Sequence, residues 1–194
     1  MKAPEYEFRI AESGSPEHAR ASALVAAQYL KHFGSTESHA PDSMLCQFLD
    51  GALVGCVGFE SAESGSLFVE QYLDQPIDIA LFGVPGRRKE VVEIGAFAVE
   101  ARDHALLLMM ELADVLSARQ FTTAVCTVTA PVRRCLRKLG IESNRLGPAV
   151  ADRVDNPEGW GTYYELQPEV LAGDIADGLR HIAAIRPFLY AEVA

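Results

Sequence analysis

Residues 91–117, VVEIGAFAVEARDHALLLMMELADVLS, set the tightest limit on how this chain can fold. Val91, Val92, Ile94, Phe97, Ala98 and Val99 form a nearly continuous apolar run of strand length, the pattern of a strand covered on both faces. From Ala105 onward, Leu106, Leu107, Leu108, Met109, Met110, Leu112, Ala113, Val115 and Leu116 give a wide helical stripe, leaving Glu111 and Asp114 for water. A buried strand feeding a long helix through a tight junction is half of a βαβ unit. Glu93 lies inside the strand, and a carboxylate buried there needs a partner or a task.

The flanking segments supply further strands. Residues 5–11 alternate enough for a first strand, and Ser15 before Pro16 marks a helix start, the hydroxyl capping and the proline at the first helical position. That helix, 16–32, should stop at Phe33 and Gly34. Residues 44–49 and 52–60 read as strands joined at Asp50-Gly51, a good short hairpin signal. The class of the segment beginning at Leu67 is open, and Gly83, Pro85 and Gly86 end it. Beyond the long helix come a strand at 121–127, a short helix at 131–139 closed by Gly140, and strand and loop over 141–150. A final strand at 160–166 and a tail helix over 168–189, broken at Gly173 and Gly178, complete the reading. Strands alternate with helices only in the middle, which predicts an α/β (α+β) fold: a mixed central β-sheet flanked by helices on both faces.

At 194 residues the expectation is one domain over 1–194, with 168–194 a C-terminal helical extension. The formal net charge of −10 argues against nucleic acid or an anionic membrane as partner. No apolar core follows the first lysine, and no apolar run approaches the roughly 20 residues of a spanning helix, so stable membrane insertion is not expected. Cys46, Cys56, Cys126 and Cys135 are dispersed in apolar contexts, as buried free thiols are, which points to the cytoplasm. His18, His32, His39, His104 and His181 form no ligand array, so no metal is expected.

Segment 67–77, LFVEQYLDQPI, followed by the strand beginning Val91-Val92-Glu93-Ile94-Gly95, resembles the thermostable hemolysin family, with its EQYLD-x-PI segment and IVEIGN-like strand. Arg137 and Gly140, Ala151-Asp152, the Trp160 to Tyr164 segment, and Pro168, Val170 and Gly173 continue the likeness in order. The resemblance spans roughly 67–179 and implies a GNAT acyltransferase-like fold. Within that superfamily the strand is also similar to that of the acyl-homoserine lactone synthases, which carry Glu-x-Ser-Arg-Phe here. Glu93 and Phe97 keep that pattern, whereas Gly95 and Ala96 replace its Ser and Arg, which points away from lactone synthesis. The hemolysin pattern itself prefers Asn where Ala96 stands.

The resemblance implies transfer of an acyl group from a phosphopantetheine thioester, on an acyl carrier protein or CoA, to the amine of a small molecule, with no permanently bound cofactor. Such chemistry needs a base for the ammonium proton and donors near the developing oxyanion. Glu93 is the candidate base, with Tyr164 the second catalytic candidate, because one of Tyr163 and Tyr164 should point inward. Glu70, Gln71, Tyr72, Gly95 and Phe97 are the candidate substrate-binding residues. Ala98 and Val99, with Arg102, Arg133 and Arg137, are the candidate donor-binding residues, since in GNAT folds this strand pairs with the pantetheine arm and the next helix start cradles pyrophosphate.

Each has a plainer alternative. Glu93 would serve equally in an ion pair with Arg87 or Arg102. Glu70, Gln71 and Tyr72 also suit the surface start of a helix. Arg133, Arg134, Arg137 and Lys138 suit an acidic carrier protein, a nucleotide phosphate, or merely a solvated helix face. The junction Glu100-Ala-Arg-Asp-His-Ala105 has no glycine, and its acids repel a pyrophosphate, which favours a carrier-protein donor over CoA. Other readings are a non-catalytic GNAT-fold binding protein and a membrane-active hemolysin-like protein.

Overall fold

The computed structural model describes residues 5–138 and 140–193. Seven strands form one sheet: β1 (Tyr6–Glu12), β2 (Ser43–Leu49), β3 (Ala52–Ser61), β4 (Val91–Val99), β5 (Thr123–Val128), β6 (Asn144–Pro148) and β7 (Glu169–Asp174). Their order across the sheet is β1-β2-β3-β4-β5-β7-β6. Only β4 and β5 pair in parallel; every other neighbouring pair is antiparallel. The helices are α1 (Pro16–Phe33), α2 (Ile77–Phe82), α3 (Arg102–Ala118), α4 (Ala130–Lys138) and α5 (Ile175–Val193). Leu139, placed by sequence at the end of the short helix, lies outside the described residues.

Helices cover both faces, as the pattern predicts. On one face, Ala21 and Val25 of α1 pack with Met44, Cys46, Phe48, Cys56, Ala96 and Ala98. On the other, Leu108, Leu112 and Leu116 of α3 and Ile175 of α5 bury against Leu45, Val57, Phe59 and Val92. Alternate residues of each strand feed the two cores, so both layers are fixed by the pleat. Removal of these large apolar side chains from water drives the layering, each worth about 1.5–3 kcal/mol.

Local signals act where expected. Ser15 Oγ accepts from the His18 N–H at 3.1 Å, Pro16 opens α1, and Gly34 closes it in the left-handed region at φ 66°, its N–H reaching Leu30 O at 2.9 Å. Ser15→Ala is expected to cost about 1 kcal/mol; urea denaturation would show it as a lowered midpoint at unchanged slope. Asp50 and Gly51, at φ 48° and 83°, make the β2–β3 turn.

Two expectations are corrected. Residues 160–166 are not a strand but lie in 3₁₀ turns at Pro157–Trp160 and Tyr163–Leu166. Their aromatic rings fill a core beside Tyr29 and Phe33 of α1 instead of alternating along a pleat, and Gly161, at φ 55° and ψ −128°, reverses the chain between them. The segment from 168 is not helical at its start, because 169–174 is β7, inserted between β5 and β6. Val170, Leu171 and Ala172 are buried, and a short apolar run of that kind has no period to separate strand from helix. The tail helix begins only at Ile175, with Asp174 Oδ1 accepting from the Asp177 N–H at 2.8 Å, and it runs through Gly178. The open segment after Leu67 resolves into a 3₁₀ turn, Phe68–Tyr72, and α2.

Candidate active site

Glu93 stands in the middle of β4 with 4% of its surface exposed. Its Oε2 accepts the Val69 N–H at 3.2 Å, and the Phe68 N–H also favours the ionised form. Burial nevertheless wins and pushes the carboxyl up to about 8, with the charges of Glu60 and Glu70 acting in the same direction. The ion pairs open to it in the sequence do not form: Arg87 pairs with Glu90, and Arg102 is exposed at the start of α3. Among the described residues no cation pairs with Glu93. Its carboxylate is held by backbone amides alone, which leaves the proton affinity high.

The 3₁₀ turn at Phe68–Tyr72 supplies those amides, and Glu70 secures it. Glu70 accepts from the Leu67 and Ile77 N–H groups at 2.7 and 2.8 Å, and from both Arg88 terminal nitrogens at 2.7 and 2.9 Å. Its acceptors are thus spent on the turn, on the start of α2 and on Arg88. Arg88 also donates to Ala62 O at 2.7 Å, tying the turn to the end of β3. Gln71 points to solvent. Tyr72 is buried and its hydroxyl meets that of Tyr164 at 2.8 Å. Burial and this contact drive the Tyr72 hydroxyl strongly upward, and burial raises Tyr164 as well, so both stay protonated. Tyr163, the neighbour, stacks on Tyr29 at 6.2 Å and belongs to the core. Tyr164→Phe is expected to leave the Tyr72 hydroxyl without its partner and to cost about 1 kcal/mol, checked by thermal melting beside Tyr72→Phe and the double variant.

Strand pairing stops one residue beyond Glu93. Parallel pairing of β4 with β5 ends at Ile94↔Cys126, although β4 continues to Val99 and β5 to Val128. The register of β3 against β4 shifts between Cys56 and Gly58, and Ala96 takes φ 50°, as a bulged residue does. That left-handed backbone suits Asn better than Ala. Beyond Ile94, the β4 backbone that faces β5 has no strand partner. Gly95, Phe97, Ala98 and Val99 therefore line an open edge, with Phe97 exposed and Ala98 buried toward α1. On β5, the Thr127 hydroxyl is buried without a hydrogen-bond partner among the described residues.

The basic residues are dispersed. Arg102 opens α3, whose N-cap, Ala101, provides no side-chain acceptor for the first-turn amides. Arg133 is committed to Glu169 at 2.9 Å and to Gln167 O at 2.8 Å, so of the two α4 arginines singled out by sequence, Arg137 is the exposed one. Arg134 is exposed beside it, and the Lys138 side chain lies outside the described residues. The structure thus gathers Glu93, Tyr72, Tyr164 and the β4 edge, gives Glu70 a holding role, and leaves Gln71 outside. Sequence reasoning missed Thr127, Arg88, Glu60 and His39. Glu60 and Thr127 are placed by strand register and Arg88 and His39 by a 3₁₀ turn and a loop packed on the sheet, and no local pattern records either.

Among the described residues no group of three or more side chains is arranged to hold a metal ion, and no helix is long and apolar enough to cross a membrane. Several solved structures share the architecture. An acyl-homoserine lactone synthase, LasI, aligns with TM-score 0.61 and 14% identity over 89% of this chain and 90% of its own. FeeM, an N-acyl amino acid synthase from uncultured soil microbes, aligns with TM-score 0.60 and 14% identity over 90% and 93%. BjaI, a CoA-dependent acyl-homoserine lactone synthase, aligns with TM-score 0.64 and 11% identity over 95% and 90%. The fold is therefore GNAT-like, as the strand motif implied. No curated protein matches the chain. The family model for thermostable hemolysin matches residues 11–179, which takes in the turn that holds Glu93, the β4 and β5 strands and the aromatic segment at 160–164, and the chain belongs to that family.

Proposed function

We propose that this protein is an N-acyltransferase that moves an acyl group from a phosphopantetheine thioester to the amine of a small molecule. The observation that carries the reading is Glu93: a buried carboxyl with no cation beside it, poised near pH 8, at the point where β4 and β5 part. A base with that affinity is matched to a proton on an alkylammonium in neutral solution. The unpaired β4 edge suits a pantetheine arm, whose amides would continue the sheet in place of β5. Tyr164, whose hydroxyl meets that of Tyr72, would donate to the leaving sulfur. Thr127, whose buried hydroxyl has no hydrogen-bond partner among the described residues, would support the polar part of the donor.

A carrier-protein donor is favoured over CoA. Glu100 and Asp103 flank the start of α3, where glycine would otherwise let phosphate oxygens approach the backbone. Arg134 and Arg137, exposed on the helix that follows β5, offer an acidic carrier protein a contact without involving Arg133. FeeM is by name an N-acyl amino acid synthase and LasI an acyl-homoserine lactone synthase, which supports acyl transfer without naming the acyl group or the acceptor.

The test is thiol release from matched acyl chains on carrier protein and on CoA, across a panel of small amines. Faster release from the carrier protein is expected, with kcat rising through pH 7 and levelling above about 8, because Glu93 must be ionised to accept the proton. Equal rates with both donors would overturn the carrier-protein preference. Saturable thioester binding with no turnover would favour a non-catalytic binding module.

A further inference from the structure

Formation of an amide from an alkylammonium and a thioester yields a free thiol and releases one proton, so a buried base must be emptied at every turnover. Glu93 is itself closed off from water. The structure sets a second carboxyl directly across from it, because Glu60 of β3 is the register partner of Glu93. Side chains of directly opposed residues lie on one face, with Cβ atoms about 4.5–5.5 Å apart. Like charges so placed repel, and both carboxyls are held above the ordinary range, Glu60 by burial and by Asp42. Such a pair shares protons readily, because neither member strongly retains its charge.

The next group outward is His39. Its Nε2 lies 3.8 Å from Glu60 Oε2, and that nitrogen is buried without a hydrogen-bond partner. The imidazole ring stacks on Phe68 at 4.9 Å and 18°, and Phe68 belongs to the same turn whose Val69 amide holds Glu93. Both ends of the series are therefore fixed to one short element. Exposure rises along it, from 4% at Glu93 to 22% for the Glu60 side chain and 37% for that of His39.

We propose that Glu60 and His39 form the proton exit of this site, carrying the proton that Glu93 removes from the acceptor ammonium out to solvent. This rests on the acyltransferase reading and goes beyond it. The carboxylate of Glu93 takes one proton from the acceptor ammonium, and as the resulting amine attacks and the C–S bond breaks, a second N–H proton passes to the leaving sulfur to give the free thiol. The Glu93 carboxyl then passes a proton to Glu60, directly or through one water, and Glu60 passes it to neutral His39. The imidazolium releases it to buffer, and all three groups return to their starting states. Burial keeps the imidazole below its ordinary range, which makes it a ready donor to bulk solvent at neutral pH.

The surrounding charges leave this path open. Asp42 faces both His39 and Glu60. Glu70 is neutralised by Arg88, and Arg119 is turned to Glu12 and to the ring of Phe59. Tyr72, Tyr163 and Cys126 also face Glu93, and all three are held protonated by burial.

Two measurements test the exit. In dilute buffer, Glu60→Gln and His39→Ala should each lower kcat about tenfold with KM changed less than about twofold. Concentrated buffer of a hindered pyridine base should restore most of the loss in His39→Ala, and wild-type turnover should respond far less. Separately, the His39 ring resonances followed by NMR against pH should show a second inflection near the Glu93 midpoint, absent from Glu93→Gln and from Glu60→Gln. Turnover that is insensitive to buffer in His39→Ala, or a His39 titration blind to Glu93→Gln, overturns the proton exit. A coupled titration in a protein that turns over no thioester overturns the acyltransferase reading and leaves the proton link in place.

Discussion

Glu93→Gln is expected to lower acyl transfer by about 10²- to 10³-fold in kcat and, at the same time, to stabilise the protein. The two effects have one origin. A carboxyl pushed up to about 8 in the folded state, against an unfolded value of 4.5, binds its proton more tightly when folded. Between those values the native state holds more protons than the unfolded chain, so stability falls as pH rises through this window, and the loss is complete above about 8. Glutamine keeps an acceptor for the Val69 N–H and carries no charge. The variant should therefore match the wild type near pH 4 and exceed it by roughly 3–5 kcal/mol at pH 9, from the linkage of a shift this size. Urea denaturation at pH 4, 7 and 9 reads the difference directly. A variant that loses stability at every pH would show that the carboxylate is a structural element, and the catalytic assignment would fall with it.

Gly161→Ala is expected to destabilise the fold by about 3 kcal/mol or more. Its backbone, φ 55° and ψ −128°, belongs to a region that side-chain-bearing residues rarely enter. A Cβ there would stand 2.1 Å from Phe33 O and 3.0 Å from the Gly34 carbonyl carbon, both backbone atoms at the closed end of α1. The same carbonyl of Phe33 accepts the Thr162 N–H at 2.9 Å, so the contact cannot be relaxed without losing that bond. Gly159 is the natural comparison. Its Cβ would meet Asn156 Nδ2 and Glu37 Cγ at 2.6 Å, side-chain atoms that can turn away, and Gly159→Ala should cost clearly less. Thermal melts of the two variants settle the ranking; equal costs would show that α1 and the 160–166 segment shift together freely. Because Tyr164 lies three residues on from Gly161, the Gly161→Ala protein should also lose activity ahead of its global melting.

What was legible in the sequence was local. Ser15, Pro16 and Gly34 bound α1 by satisfying or ending its own hydrogen bonds, and Asp50-Gly51 turns a hairpin through the backbone freedom of two residues. The 91–99 strand and the helix after it were readable because burial on both faces leaves a continuous apolar run. The strand at 169–174 was not, since six residues are too few to show a period and the glycine at 173 looked like a break in a helix. Trp160, Tyr163 and Tyr164 misled for a different reason: aromatic residues favour strands, yet ring packing against Tyr29 and Phe33 decided the outcome. Glu93 could be singled out as an anomaly, but not its surroundings. The turn that holds it comes from 24 residues earlier, and the carboxyl across from it is chosen by strand register.

The bulge at Ala96 has a consequence for how β4 is to be counted. Val91 and Glu93 point to the face covered by α1, and so do Ala96 and Ala98, although the first two are odd and the last two even. The strand is two half-strands out of phase by one residue, joined where the backbone turns left-handed. Its first half is phased so that the acid faces the turn at Phe68–Tyr72, its second so that Ala98 faces α1. A substitution at 96 changes one side chain, whereas an insertion or deletion there would reassign every side chain that follows to the opposite face. The phase of this strand therefore depends on residue number across the bulge more than on residue type.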